Sequence, residues 1–379
     1  MRLRGPQLNA GVSATFILAE IGTMTTRTLS FIVAVCVLAG CGAATSQGWT
    51  LADLLQPPKP EEIAAVQSEW RARDLAPTDV RTVTTHRVNI SGAEFEASIV
   101  SYSLAGLRQY GALFLPARAV GALPVILDIR GVEPGYPVRR LDQGPFSATV
   151  VTSPEHQRFA FAAPSLRGHS IELAGQTYTS EGDRRDSWDG ATDDAIGFLT
   201  VVLSLDEPVD RDRVGVFGAS RGGSVALLMA ARDPRVKAAV AFAPATDWFS
   251  LMGRPGEDWL EALRAAKAQQ ERDENTREAQ FHEWFVDDRR QLALSEGRRR
   301  IIASSPLYFR SIGAAIQVHH GVDDRSVPVR NSQALEQRFL EAGASNWQVL
   351  FYSGAGHDLS VSGAPDQARQ FLLKHLSSN

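Results

Sequence analysis

The chain has 379 residues, 44% of them hydrophobic and 22% charged, a composition that excludes disordered and collagen-like classes. A net charge of −4 offers no basic surface for nucleic acid, so a small or neutral substrate is expected. The two cysteines, Cys36 and Cys41, both lie near the N-terminus, which leaves the body of the chain without a disulfide framework or thiolate metal site; no cofactor is expected.

Taken in order, the chain begins with a targeting pattern. From Met24, Thr25-Thr26-Arg27-Thr28 precedes an apolar run over 29–39 and then Gly40-Cys41. A short basic region, an apolar stretch and small residues make a secretory signal. The run is too short to cross the roughly 30 Å of a bilayer as a helix. Leu38-Ala39-Gly40-Cys41 resembles a bacterial lipobox, in which Cys41 is lipidated and becomes the mature N-terminus. The alternative is an ordinary signal peptide in which Cys41 is incidental. Residues 1–23 have no such logic, and Met24 is the expected start. The boundaries are then a leader over 1–41, a tether with a helical segment over 42–78, and an α/β domain over 79–379.

A helix is predicted over 61–73, after the Pro-rich break at 57–60. The period then changes to two, and 80–90, 94–102 and 107–115 read as antiparallel strands with Gly/Ser turns. The continuous apolar run at 123–129 fits a central parallel strand covered on both faces. Strand 159–164 is followed by a helix over 189–205, whose Ala195, Ile196, Leu199 and Val202 line one face. A strand at 236–242 comes next. Between 248 and 301 the pattern breaks into a charged stretch with Trp259, Leu260, Leu263, Phe281, Trp284 and Phe285 at helical spacing. It reads as a helical insertion, either a lid over the site or a solvated excursion packed on the body. Strand 314–320, helix 331–341, strand 347–352 and helix 367–376 close the chain. Such alternation argues for an α/β fold, a mostly parallel sheet with helices on both faces.

The organising stretch is Val214-Gly215-Val216-Phe217-Gly218-Ala219-Ser220-Arg221-Gly222-Gly223, ahead of an apolar helical run. Its G-x-S-x-G reads as a nucleophile elbow, a strained strand-to-helix turn that exposes the serine hydroxyl. The plainer reading is a glycine-rich loop with Ser220 as helix N-cap. Backbone N–H groups at the new helix start, chiefly that of Arg221, would face a developing oxyanion. A serine at neutral pH needs a base, and the base needs an orienting carboxylate. His357 in Gly354-Ala355-Gly356-His357, directly after the last strand, is the candidate base. His319 and His320 lie within a strand and read as structural. The acid is one of two neighbours, Asp323 or Asp324, in the segment after that strand.

Three motifs together resemble the catalytic domain of prolyl-oligopeptidase-type serine hydrolases. They are Gly218-Ala219-Ser220-Arg221-Gly222-Gly223, His320-Gly321-x-x-Asp324-x-x-Val327-Pro328, and the Gly-x-Gly-His ending at His357. The related acetyl xylan esterases and dienelactone hydrolase-like enzymes share much of this. Ser305-Pro306-Leu307-Tyr308, Leu166-Arg167-Gly168-His169-Ser170, Trp188-Asp189-Gly190 and Asp193-Asp194-Ala195 also resemble the group, so the likeness covers about residues 105–376. The resemblance implies an α/β-hydrolase fold, and in its pattern the acid stands three residues after the glycine, which implies Asp324.

The resemblance also implies a second oxyanion donor in the turn after strand 123–129, and Val132 N–H is the expected group. Arg130, as a substrate contact or as the partner of a nearby acid, and Trp248 are the candidate substrate-binding residues. No repeats at β-propeller spacing occur, and about 60 residues precede the core strands, so an esterase is expected ahead of an oligopeptidase. The alternatives are an aminopeptidase or dipeptidase of the same type, and a non-catalytic binding lipoprotein that keeps the fold. Expected partners are a small ester or short peptide, and a membrane only through the Cys41 anchor.

Overall fold

The computed structural model describes residue 49 and residues 51–131, 138–142, 144, 155–252, 293–311, 313–360 and 362–377. Cys41, Val132 and most of the expected insertion over 248–301 lie outside them.

Two helices, α1 (Leu51–Leu54) and α2 (Pro60–Ala72), precede three antiparallel strands, β1 (Thr78–Ile90), β2 (Ala93–Leu104) and β3 (Leu107–Pro116). Ile90 pairs with Ala93 and Leu104 with Leu107, so both hairpins turn on two residues. Ser91-Gly92 and Ala105-Gly106 all have positive φ, the backbone whose twist matches that of the flanking strands. There follow β4 (Leu123–Ile129), β5 (Val138–Arg140), β6 (Ala160–Ser165), β7 (Ser170–Leu173) and β8 (Gln176–Thr179). Next come α3 (Asp189–Ser204), β9 (Val209–Ala219), α4 (Arg221–Arg232), β10 (Val236–Phe242) and α5 (Trp248–Met252). The described chain ends with α6 (Leu294–Ala303), β11 (Ala315–Gly321), α7 (Arg330–Glu341), β12 (Trp347–Tyr352) and α8 (Ala364–Leu376).

Nine strands form one sheet in the order β1-β2-β3-β6-β4-β9-β10-β11-β12. From β6 onward every pairing is parallel. Side chains alternate across the central strands, as a period of two demands. Val125, Leu127, Val214, Val216, Ala239 and Ala241 pack toward α3 and α4. Ile126, Phe217, Ala238, Val240 and Phe242 pack toward α8. With both faces covered, these strands have little polar side to show, which is why β4 and β10 read as apolar runs broken only by Asp128 and Lys237. The topology brings the ends of β4, β9, β11 and β12 to one edge of the sheet, where a crevice outside the carboxyl ends of parallel strands forms.

Sequence periodicity missed the small sheet β5-β7-β8. Its strands are three or four residues long, too short for a period of two to register. The closing helix begins at Ala364 rather than 367, with Pro365 in its first turn, where a missing N–H costs nothing.

The N-terminal helical segment is clamped to the body. Trp70 Nε1 donates to Asp189 Oδ1 at 2.7 Å, and Arg73 bonds Asp189 and Asp193 on α3 at 2.7 to 2.9 Å. Arg232 at the end of α4 reaches the same two carboxylates. Arg298 on α6 pairs with Glu62 at 2.6 Å and donates to the carbonyls of Leu54, Gln56 and Pro57. The Asp189 and Asp193 carboxylates are buried and each finds partners; removing one member of such a buried pair costs about 3–5 kcal/mol. Among the described residues, no helix is long and apolar enough to cross a membrane.

Candidate active site

Ser220 joins β9 to α4 with φ 55° and ψ −123°, a conformation that strains any residue with a Cβ by about 1–3 kcal/mol. The flanking glycines are what allow it. A Cβ on Gly218 would lie 2.1 Å from Gly222 O, and one on Gly222 would lie 2.0 Å from Ile129 O. Both obstacles are backbone atoms that cannot swing aside. The Ser220 hydroxyl makes no capping bond to α4, so the plainer N-cap reading fails. Ser220 N–H donates to Phe242 O at 2.7 Å, which fastens the elbow to the neighbouring strand end. Arg221 heads α4, whose first-turn N–H groups have no acceptor within the helix.

The two neighbouring aspartates differ in burial and in partners. Asp324 is buried, while Asp323 faces solvent. Asp324 Oδ1 accepts from Ser326 N–H at 2.8 Å and Val327 N–H at 2.9 Å. Its Oδ2 lies 2.7 Å from His357 Nδ1. An ionised carboxylate can only accept, so Nδ1 carries the proton and Nε2 keeps its lone pair for use as a base. Burial opposes ionisation of Asp324, but hydrogen bonds from His320 and His357, the charge of His357 and the Val327 N–H together hold it well below the usual carboxylate range. Among the described residues, His357 makes no hydrogen bond to Ser220. Such contacts are often long before substrate binds and tighten in the reacting complex.

His320 supports this pair. Its Nδ1 accepts from Ser332 Oγ at 2.6 Å, its Nε2 donates to Val327 O at 2.8 Å, and Asp324 Oδ2 lies 3.3 Å from the same nitrogen. The sequence placed His320 correctly in a strand and signalled its proximity through the His-Gly-x-x-Asp spacing, but not the direction of its ring. His319 is structural, between Tyr352 OH at 2.8 Å and Gln317 Oε1 at 2.9 Å.

Gly321 ends β11 where the His357 loop crosses it. A Cβ there would lie 2.1 Å from Gly356 O and 2.4 Å from Ala355 O. Gly321→Ala is therefore expected to push the loop aside and lower kcat/KM by about 10²-fold, the cost of roughly an ångström of misplacement. Steady-state kinetics on a folded, probe-titrated sample would check it; an unchanged rate would show the loop reaches its place without that close approach.

The turn after β4 runs beside Ser220. A Cβ on Gly131 would lie 3.0 Å from Ala219 O and 3.6 Å from Ser220 Cβ. The expected donor Val132 is the next residue and lies outside the described part. Arg130 precedes it and lines a small cleft with Arg139, His169 and Arg221. Arg139 pairs with Asp128 in β4. His169 donates from Nδ1 to Arg167 O at 2.8 Å and faces Arg221 through Nε2 at 3.2 Å. Burial first, then the charges of Arg221, Arg130 and Arg184, push the His169 imidazole down to about 3, so it is neutral at any working pH. The loop bearing it is pinned by Arg167, which bonds Asp194 through two nitrogens at 2.9 to 3.0 Å and Asp186 at 2.7 Å. Trp248 is 1% exposed, its ring edge-on to Trp188 at 4.4 Å and its backbone N–H donating to Ser305 Oγ at 3.0 Å. It forms part of the wall behind the elbow helix.

A family model described as the prolyl oligopeptidase family matches residues 146–377. This chain belongs to the prolyl oligopeptidase family. It is a serine hydrolase of the α/β-hydrolase fold. Acetyl xylan esterase 1 from a Thermoanaerobacterium species superposes with a TM-score of 0.56 and 19% identity, over 87% of this chain and 99% of that one. A puromycin-hydrolyzing peptidase of Mycobacterium tuberculosis gives 0.53 and 16%, over 78% of this chain and 40% of that one. In sequence, an uncharacterized peptidase of Bacillus subtilis is 22% identical over 86% of this chain and 44% of its own length. The prolyl oligopeptidase family chain thus spans less than half the length of the curated relatives it matches.

Proposed function

We propose that this serine hydrolase cleaves small carboxylic esters by acyl transfer to water through an acyl-enzyme on Ser220. Ser220 Oγ attacks the ester carbonyl as His357 Nε2 takes its proton. His357 returns that proton to the leaving alkoxide when the tetrahedral intermediate collapses, and the acyl group stays on Ser220. A water then attacks the acyl carbon, with His357 again as base, and releases the carboxylic acid and free serine. Asp324 holds the imidazole tautomer and stabilises its charged form. The oxyanion is held by Arg221 N–H and by the Val132 N–H that the family pattern implies.

The observation that carries this reading is the 2.7 Å bond between His357 Nδ1 and the buried, ionised Asp324. Such an arrangement serves a nearby nucleophile, and the strained serine at the end of β9 is the one the fold supplies. The ester preference is supported by the match to acetyl xylan esterase along nearly its whole length, whereas the puromycin-hydrolyzing peptidase is matched over two-fifths of its chain. The peptidase reading draws on the curated Bacillus relative. Rates on p-nitrophenyl acetate and butyrate are expected to exceed those on proline and dipeptide amides. The reverse order would make the chain a peptidase, and a protein inert to both sets and to a fluorophosphonate probe would leave only a binding role.

The same proposal places the protein in the cell envelope of a bacterium, exported and anchored by a lipid on Cys41, on the strength of Leu38-Ala39-Gly40-Cys41. The intact mass of the mature protein should show a diacylated or triacylated N-terminal Cys41. An unmodified N-terminus, or a start elsewhere, would remove the anchor.

A further inference from the structure

The side chain of Arg221 is placed against expectation. A cation in the first turn of a helix sits at the positive end of the helix dipole, where an anion would be favoured. Arg221 nevertheless stands first in α4 and is 3% exposed. Its guanidinium turns back across the elbow. Nε and one terminal nitrogen both donate to Arg130 O at 3.4 Å, and that nitrogen also donates to Gly131 O at 3.2 Å. The other terminal nitrogen meets His169 Nε2 at 3.2 Å. Since His169 Nδ1–H is committed to Arg167 O, its Nε2 is the acceptor that a permanently charged guanidinium requires.

These contacts join three pieces of chain beside the nucleophile: the elbow, the turn after β4, and the loop after β6. Backbone contact already brings the first two together, with Gly222 packed on Ile129 O and Gly131 on Ala219 O. Packing fixes their separation but not the rotation of the peptide groups in the turn. A planar trans peptide has its C=O and N–H antiparallel, so a guanidinium that holds Arg130 O sets the direction of Gly131 N–H. The planar fork of arginine suits two adjacent carbonyls in a way that an ammonium does not.

We infer that the Arg221 guanidinium is a positioning residue that locks the Arg130–Gly131 turn to the nucleophile elbow, with His169 as its anchor, so that the oxyanion site is set before substrate binds. The inference rests on the serine hydrolase mechanism proposed above. Preorganisation of this kind acts on the transition state and leaves ground-state binding nearly untouched.

The test uses the wild type with Arg221→Gln, Arg221→Lys and His169→Leu. Active sites are titrated with a fluorophosphonate, kcat and KM are measured on p-nitrophenyl acetate, and Ki is measured for a boronic acid that mimics the tetrahedral adduct. Arg221→Gln is expected to lower kcat per titrated site by about 10- to 100-fold, with KM within about 3-fold and the boronate Ki raised by about the same factor as kcat falls. Arg221→Lys should fall between it and the wild type, since one donor can still reach one carbonyl. His169→Leu frees one arm of the guanidinium and should lower kcat by about 3- to 10-fold in the same pattern. It carries the test alone if the Arg221 variants do not fold. A variant that melts earlier but turns over normally per titrated site would reduce Arg221 to a structural role and overturn the inference, as would a loss lying wholly in KM. A wild type that the probe does not label at Ser220 would instead remove the hydrolytic mechanism, and the positioning role with it.

Discussion

Ser220→Ala is expected to lower ester turnover by about 10⁶-fold and to abolish fluorophosphonate labelling, while stability stays within about 0.5 kcal/mol of the wild type. The two effects separate because the strain at this position belongs to the backbone. Ser220 holds φ 55° through its flanking glycines and its N–H bond to Phe242 O, and alanine meets the same steric demand as serine. The hydroxyl makes no capping bond, so its removal leaves no buried group unpaired. Turnover on p-nitrophenyl acetate, probe labelling and thermal unfolding measured on one preparation would check this. Labelling that survives in the mutant would place the nucleophile elsewhere.

Asp324→Asn should cut kcat by about 10⁴-fold with the fold retained, whereas Asp323→Asn should change it by less than about 2-fold. The asparagine carbonyl can still accept from Ser326 and Val327 N–H, so the turn survives. Its amide would then present N–H groups to His357 Nδ1, where the carboxylate accepted a proton-bearing nitrogen at 2.7 Å. The imidazole must switch tautomer, and Nε2 is left carrying the proton that it should be free to receive. Asp323 is exposed and touches the His357 loop through its backbone N–H on Ala355 O, which the substitution keeps. A reversal of the two results would move the acid by one position.

The lowered Asp324 pKa also has a pH signature. The group binds fewer protons folded than unfolded, so its stabilisation is complete above the unfolded value of about 3.9 and is lost as pH falls toward the folded one. Protonation of Asp324 itself is therefore not expected to cost activity above about pH 4.

The strands of the central sheet were legible in the sequence almost residue for residue. Leu123–Ile129, Val236–Phe242 and Trp347–Tyr352 coincide with the expected limits. β4 and β10 are buried parallel strands, largely apolar on both faces, so composition marks them; β12 lies at the sheet edge and was marked by its aromatic and β-branched residues. Ser220 was legible for a related reason. An elbow this tight tolerates no side chain at Gly218 or Gly222, so the backbone conformation is written into residue identity. The short β5-β7-β8 sheet was not legible, since three or four residues carry no periodicity, and the ring of Trp248 against Trp188 depends on elements 60 residues apart.

What the sequence determined by itself was local: which segments form strands and helices, where the backbone must turn sharply, and which serine, histidine and aspartates have the chemistry for acyl transfer. What only the tertiary structure decided was direction and proximity. Asp323 and Asp324 have the same side chain on the same turn, but the Asp324 carboxylate points inward to His357 and His320 while Asp323 faces water. His320 and Arg221 likewise took their roles from neighbours 12 or 52 or 91 residues away. A local pattern fixes dihedral angles, but a hydrogen bond between distant residues exists only once the sheet has set the separation of its strand ends.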